Sequence, residues 1–451
     1  MTEQPTLLQE IRQSLSQGQH DLVRRSLHDE HPADLGTLLG DAEPAEAHAL
    51  FDLLDLPTQA QVASYLSPAR QIQLVTYLDR PRLARLVTEM NADERADLYQ
   101  NLPDPARAEL LPALAQAERE DLRKLASYSE GTVGAVMTSE YATLPEDITA
   151  REAVERLRAQ ALSKETIYIA YVLDAQRRLL GTVTLAGLVI APSFVKVEDL
   201  MHREPVTVHA GQPQAEAARL IADYDLLAVP VLDDIDTMVG IVTHDDAMDV
   251  AEAEATEDFH KGAMVSGPLG SLKDAKLVTL YHKRVPWLVL LVFGNLLSGF
   301  GIAYFEDTIA AYVVLVFFMP LLVGSAGNAG SQASTLMVRA LATGDVYAKD
   351  WAWMLGREFA VAGALGLTMG LAVSGIGWFR GGPEIAAVVA MTMLVVVMTG
   401  SLIGMSLPFL LNRLGMDPAT ASAPLVTTIA DVVGVLIYFG IATRILDLPP
   451  G

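Results

Sequence analysis

Five long apolar stretches in the second part of the chain constrain its fold more than any other feature. Each exceeds the roughly 20 residues that an α-helix needs to cross the hydrocarbon core of a bilayer. The stretches cover residues 285–305, 308–338, 359–379, 385–412 and 418–443. The sequence therefore predicts that residues 281–451 form a domain of five transmembrane helices.

Charge is distributed very unequally between the two parts of the chain. The net charge is −23, and residues 1–280 carry nearly all of it, whereas residues 281–451 are almost neutral. A strongly acidic surface repels phosphate backbones and attracts cations. We therefore expect an acidic soluble part without a nucleic-acid partner, joined to a part that lies in the lipid bilayer.

Basic residues near the apolar stretches predict the topology. If the acidic part is cytoplasmic, Arg380 and Arg444 lie outside and a larger basic group lies inside, which satisfies the positive-inside rule. The inner group is Lys283, Arg284, Arg339, Lys349, Arg357 and Arg413. We expect a multi-pass protein of the plasma or inner membrane, with cytoplasmic N-terminal domains and an external C-terminus.

Residues 1–130 show short amphipathic runs separated by polar residues and proline. Successive helix starts are 11 to 13 residues apart, which is too short for long helices and is typical of a compact helical stack. Helices are predicted to begin at Leu56-Pro57, Ser67-Pro68, Asp79-Arg80, Asn91-Ala92 and Pro103-Asp104. On composition alone this all-α domain is a scaffold or docking domain.

Residues 133–250 contain an internal repeat in which each copy reads as a strand, a helix, two strands and a closing helix. This order resembles a tandem pair of cystathionine-β-synthase (CBS) domains, here residues 131–195 and 196–250, a regulatory module that often binds adenine nucleotides. The second copy keeps the ribose-contacting Thr-x-x-Asp of that family as Thr243 and Asp246. The first copy has Gly187 where the acid belongs. This argues against ATP binding at the first copy, and ATP remains a candidate ligand of the pair.

Asp431 lies inside the last apolar stretch. It is 14 residues after Asp417 and 13 before Arg444, so we expect it about 20 Å from either end and near the membrane midplane. A carboxylate there costs at least about 2.5 kcal/mol unless water, a cation or a partner charge compensates it. A homodimer would bring two such carboxylates together, and a divalent ion would relieve their repulsion. Pro424 is expected to free backbone carbonyls nearby for a hydrated ion.

Between His244 and His260 the chain carries seven acidic residues and no Lys or Arg. They are predicted to lie on one helix, where like charges three and four residues apart destabilise it by some tenths of a kcal/mol per pair. A solvated face is the usual explanation of a charge run, but its position before the first membrane span favours cation binding. Oxygen-only sites that suit Mg²⁺ or Ca²⁺ could be completed by Asp93, Asp97, Asp223 and Asp225.

The order of these parts and several motifs resemble the MgtE family of magnesium channels over nearly the whole chain. The motifs are Ala-Asp-Tyr-Asp at 222–225, the acidic run at 252–260, Gly-Asn-Ala-Gly-Ser-Gln at 327–332, Arg-Ala-Leu-Ala-Thr at 339–343, and residues 417–431. From spacing alone the small-residue run from Gly324 to Ala340, which contains residues 327–332, indicates close helix packing. Two residues depart from the family pattern: Ala423 stands where some members have asparagine, and Gln61 stands where an acidic sensor residue can occur.

The resemblance implies a multidomain homodimer. Its parts are an N-terminal all-α superhelical domain, tandem CBS domains of α+β fold, a connecting plug helix at residues 244–280 and a five-helix transmembrane domain. It also implies that Asp431 holds hydrated Mg²⁺ in the pore. The resemblance further implies that the following acids belong to regulatory metal sites: Asp93, Asp97, Asp225, Asp246, Asp249, Glu254, Glu257, Asp258 and Asp417.

The expected function is a Mg²⁺-selective channel for uptake down the electrochemical gradient, closed when cytosolic Mg²⁺ binds between the helical domain, the CBS pair and the plug helix. Mg²⁺ dehydrates reluctantly, so carbonyls and two carboxylates can hold it with its water shell. A cation exchanger or secondary transporter of divalent cations is the alternative. An enzyme is not expected, because the chain lacks His-Glu-x-x-His and Gly-x-x-x-x-Gly-Lys-Ser/Thr motifs.

Overall fold

The computed structural model describes residue 11 and residues 20–265 and 276–447 of the chain. It divides into two compact units, Met1–Glu252 and Ala253–Gly451. The first unit contains the N-terminal helices and two α+β repeats, and the second contains the long apolar helices. Residues 266–275 of the predicted plug helix lie outside the described residues.

Short α-helices build the N-terminal part of the first unit. In the described residues they are α1 (His20–His28), α2 (Pro32–Asp41), α3 (Pro44–Phe51), α4 (Leu56–Ser64), α5 (Pro68–Tyr77), α6 (Arg80–Glu89), α7 (Ala92–Asn101), α8 (Asp104–Leu110) and α9 (Gln116–Leu125). The five predicted helix starts are confirmed at α4 to α8. Asp55 and Asp79 cap α4 and α6 by accepting hydrogen bonds from the backbone N–H groups of Thr58 and Arg82, which satisfies otherwise unpaired donors.

Each α+β repeat contains a three-stranded sheet. Its first strand pairs in parallel with the second, and the second pairs antiparallel with the third. The elements of the first repeat are β1 (Tyr141–Leu144), α10 (Ala150–Gln160), β2 (Thr166–Leu173), β3 (Leu179–Thr184) and α11 (Leu185–Ile190), followed by α12 (Val197–Leu200). Those of the second are β4 (Val208–His209), α13 (Gln214–Asp223), β5 (Ala228–Leu232), β6 (Met238–Thr243) and the closing α14 (His244–Gly262). The predicted element order is confirmed in both copies.

Two of the three apolar clusters described in the first unit connect its parts to one another. One joins the N-terminal helices to the second repeat and includes Leu98 of α7 and Val229 of β5. The other joins the two repeats through Tyr141, Tyr171 and Met238, and the Tyr141 hydroxyl donates a hydrogen bond of 3.0 Å to the Met238 carbonyl oxygen. These contacts fix the N-terminal helices relative to both repeats.

Long apolar helices form the second unit. They are α15 (Leu277–Tyr304), the short α16 (Glu306–Ala311), α17 (Val314–Ala342), α18 (Trp351–Arg413) and α19 (Ala423–Ile445). The 63 residues of α18 would extend about 95 Å as one straight helix, but the backbone turns at Gly382, whose φ is 81° and ψ is −171°. On either side of the turn, Gly370 packs against Ala390 and Gly377 against Ala386. The helix is therefore an antiparallel hairpin of two spans, and the described part of the chain contains five apolar spans, as predicted.

Two spans begin later than the sequence suggests. The stretch predicted at 308–338 starts with the separate helix α16, and the stretch predicted at 418–443 starts with a 3₁₀ turn, Pro418–Thr420. Pro424 consequently lies in the first turn of α19, where the missing N–H leaves no carbonyl unpaired. The expectation that Pro424 frees carbonyls beside Asp431 is wrong.

The glycine-rich run at 327–332 lies in α17 and packs against the second half of α18. A Cβ atom at Gly330 would lie 2.7 Å from the carbonyl oxygen of Gly400, and one at Gly404 would overlap the carbonyl oxygen of Gly330. Backbones can approach this closely only where neither residue has a side chain. The interpretation of this run as close helix packing is confirmed.

Candidate regulatory metal sites and pore residue

Six carboxylates line a cavity of about 320 Å³ in the first unit, which we call the acidic cavity. They are Glu89 at the end of α6, Asp93 and Glu94 in the first turn of α7, Glu165 just before β2, and Asp245 and Asp246 in the first turn of α14. Gln61 also lines the cavity. Four parts of the chain thus contribute negative charge to one space.

Two carboxylate oxygens of the cavity have no hydrogen-bond partner in the part of the chain that the structure describes. These atoms are Asp93 Oδ1 and Glu165 Oε2, and both are buried. By contrast, Asp246 Oδ2 accepts a hydrogen bond of 2.5 Å from the Thr243 hydroxyl. A buried oxygen without a partner costs about 1–3 kcal/mol. A bound cation would recover this cost, so the donor set fits a metal ion that prefers oxygen ligands.

Burial and mutual repulsion raise the pKa values of these acids. Burial raises the pKa of Glu165 to about 8, and the charges of Asp93 and Asp246 add to the effect. Burial also raises the pKa of Asp93 and of Asp246, again with neighbouring carboxylates as a further cause. One turn beyond Asp93, burial raises the pKa of Asp97 to about 6. Because a divalent cation would remove this repulsion, the electrostatics of the cavity favour metal binding.

The cavity suits a hydrated ion better than a bare one. Among the described residues, no three Asp, Glu or His side chains converge closely enough to hold a bare metal ion. Mg²⁺ keeps several of its waters when it binds to proteins, and six waters occupy about 180 Å³ at liquid density. The acidic cavity is large enough for such an ion, which the surrounding carboxylates would bind largely through its waters.

A second acidic group lies at the end of α14, within the second unit. We call it the juxtamembrane cluster, and its members are Glu254, Glu257, Asp258, Lys261 and Asp417. Lys261 Nζ lies 2.8 Å from Glu257 Oε1 and 2.6 Å from Asp417 Oδ2. Burial and the charge of Asp417 raise the pKa of Asp258. The structure thus places Glu257 and Asp417 against one lysine, and the charges of Asp417, Glu254 and Glu257 act on Asp258 beside them.

Other implied metal residues lie away from the acidic cavity. Asp225 is exposed in a left-handed conformation, with φ of 51°, between α13 and β5. Asp249 is exposed one turn beyond Asp245 in α14. Asp223, a further acid that the sequence suggested, lies 3.6 Å from Arg219. Neither Asp225 nor Asp249 is among the residues that line the cavity.

Asp431 is the half-buried ninth residue of α19. At about 1.5 Å per residue it lies roughly 12 Å from the start of the helix and roughly 21 Å from its end. The expected equal distance from both ends is wrong, because residues 418–422 precede the α-helix. Even so, the carboxylate sits more than two turns inside an apolar helix.

One face of α17 carries polar side chains that the single chain leaves uncovered. An open cleft of about 440 Å³ is lined by Ser331, Gln332, Thr335 and Leu336. The hydroxyl oxygens of Ser331 and Thr427 lie 3.2 Å apart. Thr427 lies one helical turn before Asp431 in α19. Because amides and hydroxyls are costly to bury in hydrocarbon without partners, this face fits water or another protein surface rather than lipid.

Sequence reasoning missed Glu165, Lys261 and Glu358. Glu165 lies outside every motif, in a turn whose position depends on the folded repeat. Lys261 looks like an ordinary cation at a helix C-terminus. Glu358 stands just before the predicted span 359–379 and accepts a hydrogen bond from the Ser401 hydroxyl in the other half of α18. Only the contacts across the fold give these residues a role.

Comparison with protein families covers most of the chain. A divalent cation transporter model, MgtE, matches residues 319–441, and the MgtE intracellular N domain matches residues 30–131. The CBS domain matches residues 133–193 and 197–253.

Individual relatives agree with these matches. The magnesium transporter MgtE of Thermus thermophilus is 38% identical over 97% of this chain and 98% of the relative. The magnesium transporter MgtE of Bacillus subtilis is 36% identical over 73% of each chain. Among solved structures, the soluble part of a magnesium transporter covers 56% of this chain and all of its own, with a TM-score of 0.53 and 28% identity. The cytosolic domain of the Mg²⁺ channel MgtE in complex with ATP covers 54% of this chain and 99% of its own, with a TM-score of 0.52 and 34% identity.

Proposed function

Because this chain belongs to the MgtE family of magnesium transporters, we propose that it is a Mg²⁺-selective channel for uptake down the electrochemical gradient. We propose further that cytosolic Mg²⁺ closes the channel by binding to the acidic cavity and the juxtamembrane cluster. The observation that carries the regulatory part is the acidic cavity, where carboxylates come from four elements and two buried oxygens have no hydrogen-bond partner among the described residues.

The proposed permeation path centres on Asp431 from two chains of a homodimer. The uncovered polar face of α17 supports this arrangement, since Gln332 and Thr335 are exposed in a single chain and would face the partner or the pore. Two carboxylates can hold a dication through its water shell without removing that shell. Selection would then depend on the size and charge of the hydrated ion.

The proposed gate uses α14 as the link between the two groups of acids. Asp246 near its start lines the acidic cavity, and Asp258, about 18 Å further along the helix axis, belongs to the juxtamembrane cluster. When Mg²⁺ is abundant, ions at both places offset the repulsion among these acids and hold α14 in one position. When Mg²⁺ is scarce, repulsion favours another position. This is a population shift driven by different ion affinities of two states.

ATP is a further candidate ligand, because one structural relative was solved in complex with ATP. In the second repeat Thr243 and Asp246 are hydrogen-bonded to each other. In the first repeat Thr184 accepts a hydrogen bond of 3.0 Å from the Gly187 N–H, but Gly187 supplies no carboxylate for a ribose. We therefore propose that the first repeat contributes weakly to nucleotide binding in this chain. We also propose that the CBS repeats are cytoplasmic and that the C-terminus is external.

Transport by the reconstituted full-length chain tests the pore. Liposomes containing an entrapped Mg²⁺-sensitive dye should fill when an inward Mg²⁺ gradient is applied without any exchangeable counter-cation. Asp431→Asn should reduce this flux by about tenfold or more, since it removes the charge that attracts the dication. Asp447→Asn, the same change at an exposed position after α19, serves as the control. Flux that requires a counter-ion gradient would instead identify an exchanger.

Limited proteolysis of the full-length chain tests the sensor. Added Mg²⁺ should protect the soluble part, and Asp93→Asn and Asp246→Asn should each raise the Mg²⁺ concentration that gives half-maximal protection. Equal midpoints for both variants and the wild type would remove the acidic cavity from the regulatory mechanism.

A further inference from the structure

We propose that Glu165 is a metal-binding residue of the acidic cavity and that it connects the first CBS repeat to the Mg²⁺ held there by Asp93 and Asp246. This inference rests on the proposed function, because it adds a residue to that regulatory site. Glu165 belongs to none of the sequence motifs that the family resemblance uses.

The two oxygens of Glu165 have different surroundings. Oε1 accepts a hydrogen bond of 3.1 Å from Asn91 Nδ2, at the N-terminus of α7. Oε2 is buried and has no partner among the described residues, and the side chain lines the acidic cavity. Asn91 therefore orients the carboxylate so that one oxygen remains for a ligand.

Protonation alone does not satisfy this group. If Oε2 carried a proton, the resulting O–H would still need an acceptor, and no protein atom of the described ranges lies within hydrogen-bond distance of it. Asp93 Oδ1 is in the same situation in the same cavity. An ion with bound waters supplies both a charge and several hydrogen-bond donors, so it satisfies both oxygens at once.

The backbone around Glu165 is held firmly against α7. The Glu165 N–H donates a hydrogen bond of 2.8 Å to the Glu140 carbonyl oxygen. The Glu140 carboxylate in turn pairs with Arg95 of α7 at 3.2 Å, and the buried Arg95 also donates to the Met90 carbonyl oxygen at 2.9 Å. The backbone of Glu165 is thus positioned through Glu140 and Arg95, neither of which lines the acidic cavity.

The position of Glu165 brings a further element to the acidic cavity. Gln61 lines the cavity without a charge. Glu165 supplies a negative charge from a different element, the turn before β2. One ion among Asp93, Glu165 and Asp246 would then hold α7, the first repeat and α14 together.

The test is a Mg²⁺ titration of limited proteolysis on the full-length chain in detergent. Glu165→Gln keeps the shape of the side chain and the acceptor for Asn91 but removes the charge. It should raise the Mg²⁺ midpoint for protection by about tenfold, as expected when a metal-supporting carboxylate is lost. Glu165→Asp retains the charge and should fall between this variant and the wild type. Glu155→Gln, the same change on the exposed face of α10, should leave the midpoint unchanged.

The outcomes separate this inference from the function on which it rests. If Asp93→Asn and Asp246→Asn raise the midpoint but Glu165→Gln leaves it unchanged or lowers it, Glu165 is a bystander or a purely repulsive group, and the inference is overturned. If none of the three variants moves the midpoint, the cavity is not the sensor at all. Thermal unfolding of Glu165→Gln without Mg²⁺ shows whether this variant folds. If it does not fold, the Mg²⁺ midpoint of Glu165→Asp tests the inference instead.

Discussion

Lys261 Nζ and Asp417 Oδ2 lie 2.6 Å apart, which ties the end of α14 to the turn that precedes α19. Asp417 uses its other oxygen to accept a hydrogen bond of 2.8 Å from the Ala419 N–H, so its orientation is fixed. Lys261 also pairs with Glu257 at 2.8 Å. A single ammonium group therefore lies between two carboxylates that our proposal assigns to Mg²⁺. Lys261 would therefore compete with Mg²⁺ for the carboxylates of the juxtamembrane cluster.

Replacing Lys261 by methionine should make the juxtamembrane cluster bind Mg²⁺ more tightly. The methionine keeps most of the side-chain length but leaves Glu257 and Asp417 uncompensated. A partly exposed ion pair is worth up to about 1 kcal/mol, so the Mg²⁺ midpoint for closure should fall about three- to fivefold. Channel current recorded while cytosolic Mg²⁺ is titrated measures this midpoint.

The control is Lys349→Met, which removes the same charge from an exposed site in the same unit and should leave the Mg²⁺ midpoint unchanged. A raised midpoint for Lys261→Met would mean that the lysine supports closure.

The acidic cavity should make the soluble part less stable as pH rises. Burial raises the pKa of Glu165 from 4.5 to about 8 and that of Asp97 from 3.8 to about 6. The folded chain therefore binds more protons than the unfolded chain between about pH 4 and pH 8, and stability falls with pH across this window. Thermal unfolding of the full-length chain in Mg²⁺-free buffer should show a lower midpoint at pH 8 than at pH 5. Glu165→Gln should flatten this dependence. His31 lines the same cavity, and it is left unchanged in every variant.

Introducing an acid at position 187 should strengthen nucleotide binding. Gly187 is the third residue of α11, and its N–H is bonded to the capping Thr184 hydroxyl. A Cβ there would lie 3.1 Å from that hydroxyl oxygen, which can rotate to make room. Gly187→Asp should raise the affinity for ATP measured by calorimetry. It should also stabilise α11 by about 0.5–1 kcal/mol, because an acid in the first turn favours the helix. A gain in thermal stability without any gain in ATP affinity would show that Thr-x-x-Asp acts here only as a helix cap.

Local sequence signals were sufficient for most elements of the fold. Proline in the first turn marks the starts of α4, α5, α6 and α8, because it lacks an N–H group that a helix start would leave unpaired. The start of α7 follows from the polar Asn91 before an amphipathic run, although Asn91 makes no capping hydrogen bond. Alternating and helical periodicity fixes both α+β repeats. The start of α19 could not be predicted in this way, since the apolar composition of residues 418–422 does not distinguish a 3₁₀ turn from an α-helix.

The candidate sites could be predicted only in part, for a different reason. Acids such as Asp246 and Asp258 belong to a conspicuous charge run, and Asp431 is conspicuous in an apolar helix. Glu165 carries no such signal, because its role depends on the distance from β2 to α7 in the folded unit. Lys261 was overlooked because a cation at a helix end normally needs no further explanation.

Close packing of α17 on α18 predicts opposite results for two glycine substitutions in the same helix. A Cβ at Gly404 would overlap the backbone carbonyl of Gly330, whereas a Cβ at the exposed Gly375 meets no atom within 4 Å. Gly404→Ala should therefore destabilise the transmembrane domain by about 1–3 kcal/mol, since backbone rather than a flexible side chain must move. Gly375→Ala should be neutral or stabilising by up to about 1 kcal/mol, because alanine favours the helix. Thermal melting of the detergent-solubilised chain, followed by size-exclusion chromatography, compares the two. Equal melting points would show that α17 and α18 do not approach at Gly330 in the assembled protein.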